Sequence, residues 1–308
     1  MAASSSSTTV PSRSTSLPTR SHPFPASIEE ELTKLKAWVS SPLPMPTESI
    51  ISVGIQGLVN LHHSIDDLLL LPRIQKAITV HLRGDKYIEE LLDGYVKLLD
   101  VCNAMKDTIS SVKDYTRAAR SALIRRGTTG SDHHRYLYPR KIGKNDETSK
   151  CLKELNHSSS SSSSSELLCK NNVDEMDVSM MLVKLLKDVR LVSVSVFRSI
   201  FSFLTASDVS RRGGRWSTVS KALGRRIKGR NSDDRLVEFE ENVDGSMACV
   251  EKILSSDKDL KIDDVAIVQR RLECLEKSIH GVDDGVDSIY RRLIQNRVNI
   301  LNILSFCN

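Results

Sequence analysis

The sequence predicts an all-α protein, a bundle of long antiparallel helices with coiled-coil-like heptad stripes. Two observations support this prediction. The chain of 308 residues is 39% hydrophobic but only 5% aromatic, and an aliphatic core is more typical of packed helices than of aromatic-rich sheets. Long segments also repeat apolar residues in alternating steps of three and four, which places them on one side of a helix.

The first helices are predicted between proline-rich breaks. A short amphipathic helix covers residues 29–39 and ends before Pro42, and Thr47 is a candidate N-cap for the next helix. The apolar stripe of that next helix ends before Pro72 and contains Ile51, Ile55, Leu58, Ile65 and Leu68. These helices begin an N-terminal helical region that we assign to residues 28–126.

Two longer stripes follow, one on each side of a polar interruption. The first contains Ile88, Leu91, Tyr95, Leu98, Cys102, Met105, Ile109, Val112, Thr116, Ala119 and Leu123. The second contains Val178, Met181, Leu185, Val189, Val192, Val196, Ile200 and Phe203. Each stripe is long enough for a helix that spans a whole domain.

The clearest stripe lies in the last helix, where the spacing continues for nearly six heptads. Its predicted core positions are Leu272, Leu275, Ile279, Val282, Val286, Ile289, Leu293 and Asn296. We favour packing of the stripes within one chain, and hence a monomer, over an intermolecular coiled coil. The single polar residue, Asn296, is able to set the helix register in either case.

Two segments contain too few apolar residues to join a core. Residues 1–27 hold 13 Ser or Thr and no acidic residue, which predicts a disordered tail; an organellar transit peptide is the minority alternative. Residues 127–172 include eight consecutive serines at 158–165, which predicts a flexible Ser-rich linker. The remaining region, 173–308, is predicted to be helical and to pack with residues 28–126 as one body.

Cysteine usage and hydropathy predict an intracellular protein, cytoplasmic or nuclear. The six cysteines are widely spaced without a CxxC pair, and no secretory signal is recognisable near the start, so free thiols in a reducing compartment are expected. The longest apolar run, residues 191–204, is too short to cross a bilayer and contains Arg198. No transmembrane helix is therefore predicted.

Local motifs give no support to an enzyme, which is the least favoured class of function. The sequence contains no GxxxxGK[ST], GxGxxG, GxSxG or HExxH motif, so no catalytic residue, cofactor site or metal site is predicted. The histidine pairs at 62–63 and 133–134 are predicted to lie on the surface, because neighbours on a helix point in different directions. The aspartate pairs at 66–67, 263–264 and 283–284 are assigned to solvated helix faces for the same reason.

One segment has a strong excess of positive charge and is the candidate contact for an anionic partner. Its basic residues are Arg211, Arg212, Arg215, Lys221, Arg225, Arg226, Lys228 and Arg230. Wound as a helix, this basic segment places Trp216 and Leu223 opposite Lys221 and Arg225, so it is amphipathic.

Several interpretations of the basic segment remain open. Pairing within the chain is favoured first, because residues 231–264 hold 11 acidic and 4 basic residues. Docking on an anionic membrane surface or an acidic protein comes second. Nucleic-acid binding is the least favoured, since Trp216 is the only aromatic residue of the segment. A nuclear-import signal is a further interpretation of the basic segment.

Several short motifs, spread over the chain from residue 21 onward, resemble one plant family. They are SHPFP at 21–25, EEEL at 29–32, EELLDG at 89–94, LLDVC at 98–102, RWSTVSK at 215–221, RRLI at 291–294, RV at 297–298 and LNILS at 301–305. In their order they are similar to a plant-specific family of unknown function that includes the BYPASS-like proteins. The resemblance implies an α-helical protein with no known catalytic activity, whose relatives are linked to root and shoot development; it identifies no partner.

Overall fold

Helices account for the secondary structure throughout the described part of the chain. The computed structural model describes residues 23–40, 48–84, 86–128, 150–154, 173–205, 243–254 and 262–305. The helices are α1 (Pro23–Ser40), α2 (Glu48–Leu69), α3 (Pro72–His81), α4 (Lys86–Thr128), α5 (150–154), α6 (Val173–Thr205), α7 (Val243–Leu254) and α8 (Ile262–Ser305). The all-α prediction is confirmed for these residues.

The helix boundaries differ from the predicted tail and linker at two places. Helix α1 begins at Pro23, inside the predicted tail, because proline is compatible with a first helical turn whose N–H groups lack partners anyway. Helix α5 lies within the predicted linker, where the neighbouring serines hid its short apolar signal. Apart from Gly127 and Thr128, the last residues of α4, the rest of the predicted tail and linker lies outside the described residues, including the serine run and the histidines at 133–134. The N-cap candidate Thr47 lies outside them as well.

The apolar stripes form the faces that the bundle buries. In α4, ten of the eleven stripe residues are buried and Leu123 is half-buried. All eight predicted core positions of α8, from Leu272 to Asn296, are buried as well. Their engagement as knobs into holes, in the manner of a coiled coil, stays a prediction.

The stripe assigned to α6 is wrong at its start. Met181 is 38% exposed, whereas Leu182 beside it is fully buried. Helix α6 contacts α1, α2, α3 and α4, so apolar residues are buried around more than one side of it. A single periodic stripe therefore does not describe its orientation.

Two pairs of neighbouring helices, α1 with α2 and α4 with α8, are antiparallel. In α1 and α2, Leu35 lies over Gly57 and Trp38 over Gly54, so the two helices run in opposite directions. Among the described residues, three cross-helix ion pairs show the same for α4 and α8. They join Lys106 to Asp287 at 2.5 Å, Lys113 to Asp283, and Arg120 to Glu276 at 2.8 Å.

Other neighbouring pairs are parallel, so the prediction of antiparallel packing does not extend to every pair. Helices α2 and α8 run in the same direction, because Ile55 meets Gly285 while Asp66, further along α2, meets Asn296. Long connections allow either direction, unlike the short loops that force consecutive helices to be antiparallel.

The contact between α2 and α8 requires a residue without a side chain at position 285. A Cβ atom at Gly285 would overlap Cγ2 of Ile55 and lie 3.1 Å from its Cδ1. We expect Gly285→Ala to lower the free energy of unfolding by about 1–3 kcal/mol, because the two helices must move apart. Chemical denaturation measures this loss.

Gly281, one turn earlier on α8, provides the matched control. A Cβ there would meet no atom within 4 Å, so Gly281→Ala is expected to be neutral or to stabilise the protein by up to about 1 kcal/mol through its higher helix propensity. If Gly285→Ala were as stable as Gly281→Ala, helix propensity rather than the approach of α2 would govern position 285.

Candidate functional site

A buried polar cluster lies at the centre of the bundle, and its main members are His62 of α2, Ser193 of α6 and Asn296 of α8. The Nδ1 atom of His62 lies 2.7 Å from Oδ1 of Asn296, and its Nε2 atom lies 3.1 Å from the Ser193 hydroxyl. The edge of the imidazole meets Tyr95 of α4, with 6.3 Å between ring centroids. Side chains from four helices therefore meet at one histidine.

Asp66, one turn after His62, connects the cluster to the surface of α8. Its carboxylate accepts hydrogen bonds from Nδ2 of Asn296 at 2.6 Å and from Nδ2 of Asn299 at 3.0 Å, and the guanidinium of Arg292 lies 3.4 Å away. The residue is only 7% exposed. Its three partners compensate for the loss of water around the carboxylate.

The partners of Asn296 determine which nitrogen of His62 carries a proton. The Asn296 amide donates to the carbonyl oxygen of His62 at 3.0 Å and to Asp66. Its Oδ1 atom therefore faces the imidazole and accepts a hydrogen bond from Nδ1–H. The unprotonated Nε2 atom and the carbonyl oxygen of Val189, 2.7 Å from the Ser193 hydroxyl oxygen, then compete as acceptors for the single proton of that hydroxyl.

Burial shifts the ionisation of both titratable members of the cluster. Desolvation lowers the pKa of His62 to about 4, against the smaller opposing effect of its hydrogen bond with Asn296. Desolvation also raises the pKa of the Asp66 carboxyl, and the Asn296 hydrogen bond and the positive charge of Arg292 oppose that change. At neutral pH the cluster therefore contains a neutral imidazole.

The order Ser193, His62, Asn296 resembles that of a nucleophilic triad, yet the geometry does not fit one. Both Ser193 and His62 are at most 1% exposed. The cavity that His62 lines between α4 and α6 is about 10 Å³, close to the volume that one water molecule needs. An acyl substrate therefore has no space beside the Ser193 hydroxyl, and the cluster connects helices instead.

A wider groove lies on the outside, between α1 and α6. It measures about 310 Å³, with Leu32 and Leu185 among its apolar residues. Lys36 and Asp188 form an ion pair of 2.9 Å across it. The groove carries charges of both signs and shows no preference for an anionic or a cationic ligand.

The structure corrects the surface assignment of two predicted residues. His62 and Asp66 are buried, whereas their neighbours His63 and Asp67 face solvent with side chains 55% and 41% exposed. Asp283 is also more than a solvated residue, because it pairs with Lys113 of α4. The eight basic residues between Arg211 and Arg230 lie outside the described residues.

Neither a metal-binding cluster nor a membrane-spanning helix occurs among the described residues. Across these ranges, no three His, Cys, Asp or Glu side chains lie close enough together to hold a metal ion. No helix in the same ranges has an apolar segment long enough to cross a membrane. The four cysteines at 102, 151, 249 and 274 are free thiols.

Comparison with known proteins identifies the family. The family model described as Protein BPS1 matches residues 54–303, which is most of the chain and includes α4, α6 and most of α2 and α8. No curated protein and no solved structure matched the chain. The matched region holds every residue of the buried polar cluster. The chain therefore belongs to the BPS1 protein family, the family of BYPASS-like plant proteins that its motifs resemble.

Proposed function

We propose that this protein acts without catalysis, by binding other proteins through its helical surface in root and shoot development. The developmental role rests on membership of the BPS1 family. The absence of catalysis is supported by the buried polar cluster, whose side chains His62, Ser193, Asp66 and Asn296 are all used in hydrogen bonds between helices. The buried polar cluster holds α2, α6 and α8 in one arrangement, and the bundle therefore presents a defined surface to a partner.

The contact with the partner is assigned to the basic segment, residues 211–230. Eight cations without an acidic residue attract an anionic surface, and the apolar side with Trp216 and Leu223 adds contact area. An acidic protein is the first candidate partner. The alternative is a membrane-peripheral scaffold that uses the same segment on anionic lipid.

Neutralising the basic segment is expected to weaken binding and to leave stability unchanged. Replacing Lys221, Arg225 and Lys228 together with Gln removes three charges, and exposed charges contribute little to folding. We expect lower affinity for the anionic partner and a weaker dependence of that affinity on salt. A large fall in melting temperature would instead indicate that these cations pair with the acidic residues 231–264.

Capture of partners from root and shoot tissue tests the proposed function. The full chain and the triple Gln variant serve as matched baits, and vesicles with and without anionic lipid test the membrane alternative. Proteins that the wild type retains and the variant loses support a protein partner. Cosedimentation with anionic vesicles, lost in the variant and without any protein captured, supports the membrane scaffold. Equal results for both baits would contradict the assignment of residues 211–230.

A further inference from the structure

The outer face of α4, opposite its buried stripe, carries negative charge along most of the helix. Its exposed residues are Glu89, Asp93, Val96, Asp100, Asn103, Asp107, Ser110 and Asp114. The charged members are all acidic, and the four aspartates recur every seven positions, which keeps them in one row along the helix. Lysines of the same stretch turn away from this row, because Lys106 and Lys113 form ion pairs with α8.

The middle of this acidic row has no ion-pair partner within the part of the chain that the structure describes. Asp93 pairs with Lys97 at 2.9 Å and Asp114 pairs with Arg117 at 2.7 Å, both inside α4. Asp100 and Asp107 are exposed and form no ion pair with a described residue. Carboxylates that a helix holds in a row repel one another and attract a series of cations. The outer face of α4 therefore fits a basic segment.

Helix α6 ends beside the middle of α4. The Tyr87 hydroxyl donates a hydrogen bond to the carbonyl oxygen of Val183 at 2.9 Å. Gly94 lies against the Arg190 side chain, and both contacts join residues 96 positions apart, so α4 and α6 run parallel. Continued at that spacing, the C-terminal end of α6 at Thr205 reaches the level of residue 109 of α4.

Helix α7 returns the chain to the same level of α4. The Tyr115 hydroxyl of α4 donates to the carbonyl oxygen of Met247, in the second turn of α7, at 3.0 Å. Residues 206–242, which contain the basic segment, therefore start and end beside the C-terminal half of the acidic row. From Asp93 to Asp114 the row extends about 32 Å, close to the roughly 30 Å of a helix as long as the basic segment.

We propose that the outer face of α4 is an internal docking surface for the basic segment, residues 211–230, with Asp100 and Asp107 as its central contacts. The eight cations of the segment complement the five carboxylates of the face. Connections at both ends raise the local concentration of the segment there, and the fold already holds the carboxylates in position. Exposed ion pairs are individually weak, so an outside anionic partner competes with this contact. The competition rests on the proposed function, whereas the docking does not.

Carbodiimide cross-linking of the full chain tests the docking, because the reagent joins a lysine amine to a carboxylate in contact with it. We expect links from Lys221 or Lys228 to the acidic row of α4, identified by mass spectrometry and lost at high salt. A mixture of isotope-labelled and unlabelled chains shows whether the links form within one molecule. Links that reach only residues 231–264, links that form only between two molecules, or an absence of links would overturn the proposal.

Removal of the central carboxylates is expected to free the basic segment for an outside partner. The probe is fluorescent polyglutamate, an acidic polypeptide. The double variant Asp100→Asn with Asp107→Asn should bind it roughly threefold or more tightly than the wild type, because docking no longer occupies the segment. The matched control, Glu273→Gln with Asp284→Asn, removes two exposed charges from the outer side of α8 and should bind like the wild type.

Equal affinity of the two double variants for polyglutamate would overturn the docking on α4. Failure of the proposed function gives a different result. If the triple Gln variant bound polyglutamate as tightly as the wild type, the basic segment would not be the contact for an acidic partner. The cross-links to α4 would still establish the docking, because they form without any partner.

Discussion

Replacing Leu293 with alanine is expected to lower the free energy of unfolding by about 2–5 kcal/mol. The Leu293 side chain is fully buried in the main core. Its truncation removes apolar contacts and leaves a cavity that the surrounding helices fill only in part. Urea-induced unfolding, followed by circular dichroism, measures the loss.

Ile294 is the matched control, because it is the next residue of α8 and is 38% exposed. Ile294→Ala removes aliphatic atoms from the outer side of the same turn, and we expect a loss below about 1 kcal/mol. Similar losses for the two variants would contradict the burial of the α8 stripe.

The same unfolding experiment tests the predicted monomer. A stripe that packs within one chain gives an unfolding midpoint independent of protein concentration, because concentration enters only when folding is linked to association. We expect the unfolding midpoint to stay the same over a roughly hundredfold range of protein concentration. A midpoint that rises with concentration would assign the α8 stripe to contacts between chains.

Apolar spacing predicted the buried faces of α4 and α8 because each presents one continuous apolar side to the core. The spacing was less informative for α6, where Met181 is exposed and Leu182 is buried. A helix with neighbours on several sides has no single apolar stripe, so periodicity alone does not define its rotation. The relative directions of the helices could not be predicted either. Residues 129–172 and 206–242 are long stretches of sequence between helices, and only short loops force consecutive helices to be antiparallel.

The buried polar cluster was missed although the sequence contained a signal for it. The predicted stripe of α2 makes a step of seven positions, from Leu58 to Ile65. His62 occupies the position within that step that helical spacing assigns to the core. The pair at 62–63 was predicted to lie on the surface because neighbours on a helix point in different directions. The same geometry turns His62 toward the core and His63 toward solvent.

The partners of His62 could not have been found from the same spacing. Ser193 and Asn296 are 131 and 234 residues away in the sequence, and only the three-dimensional arrangement brings them together. Asn296 was identified as a polar residue within an apolar stripe, which is the pattern of a residue that sets register. Which side chains it would meet depended on α2 running parallel to α8.

Acidification from pH 7 to pH 5 is expected to destabilise the protein by roughly 2 kcal/mol through His62 alone, because its folded pKa of about 4 lies below the unfolded value of 6.5. Above about pH 6.5 the imidazole is neutral in both states, so the full stability is present. Between pH 6.5 and 4 the unfolded chain binds a proton that the folded protein excludes, and unfolding is favoured. Below about pH 4 the loss levels off at roughly 3 kcal/mol.

Asp66 acts in the opposite direction and must be separated from His62. Its pKa is raised in the folded protein, so on acidification the folded state takes up this proton at a higher pH than the unfolded chain, and the fold gains stability. Comparing variants that differ only at the histidines isolates the contribution of His62, because Asp66 and the other carboxylates are common to all of them.

His62→Gln tests the prediction, with His63→Gln as the matched control on the exposed neighbour. At pH 7 His62→Gln is less stable than the wild type, since an amide does not reproduce both hydrogen bonds of the imidazole with Asn296 and Ser193. Between pH 7 and 5, however, this variant should lose roughly 2 kcal/mol less than the wild type, while His63→Gln should follow the wild type. Urea unfolding at a series of pH values measures the difference. Parallel pH profiles for the wild type and His62→Gln would contradict the prediction. They would mean that His62 binds its proton equally well in the folded and the unfolded protein, despite its burial among Asn296, Ser193 and Tyr95.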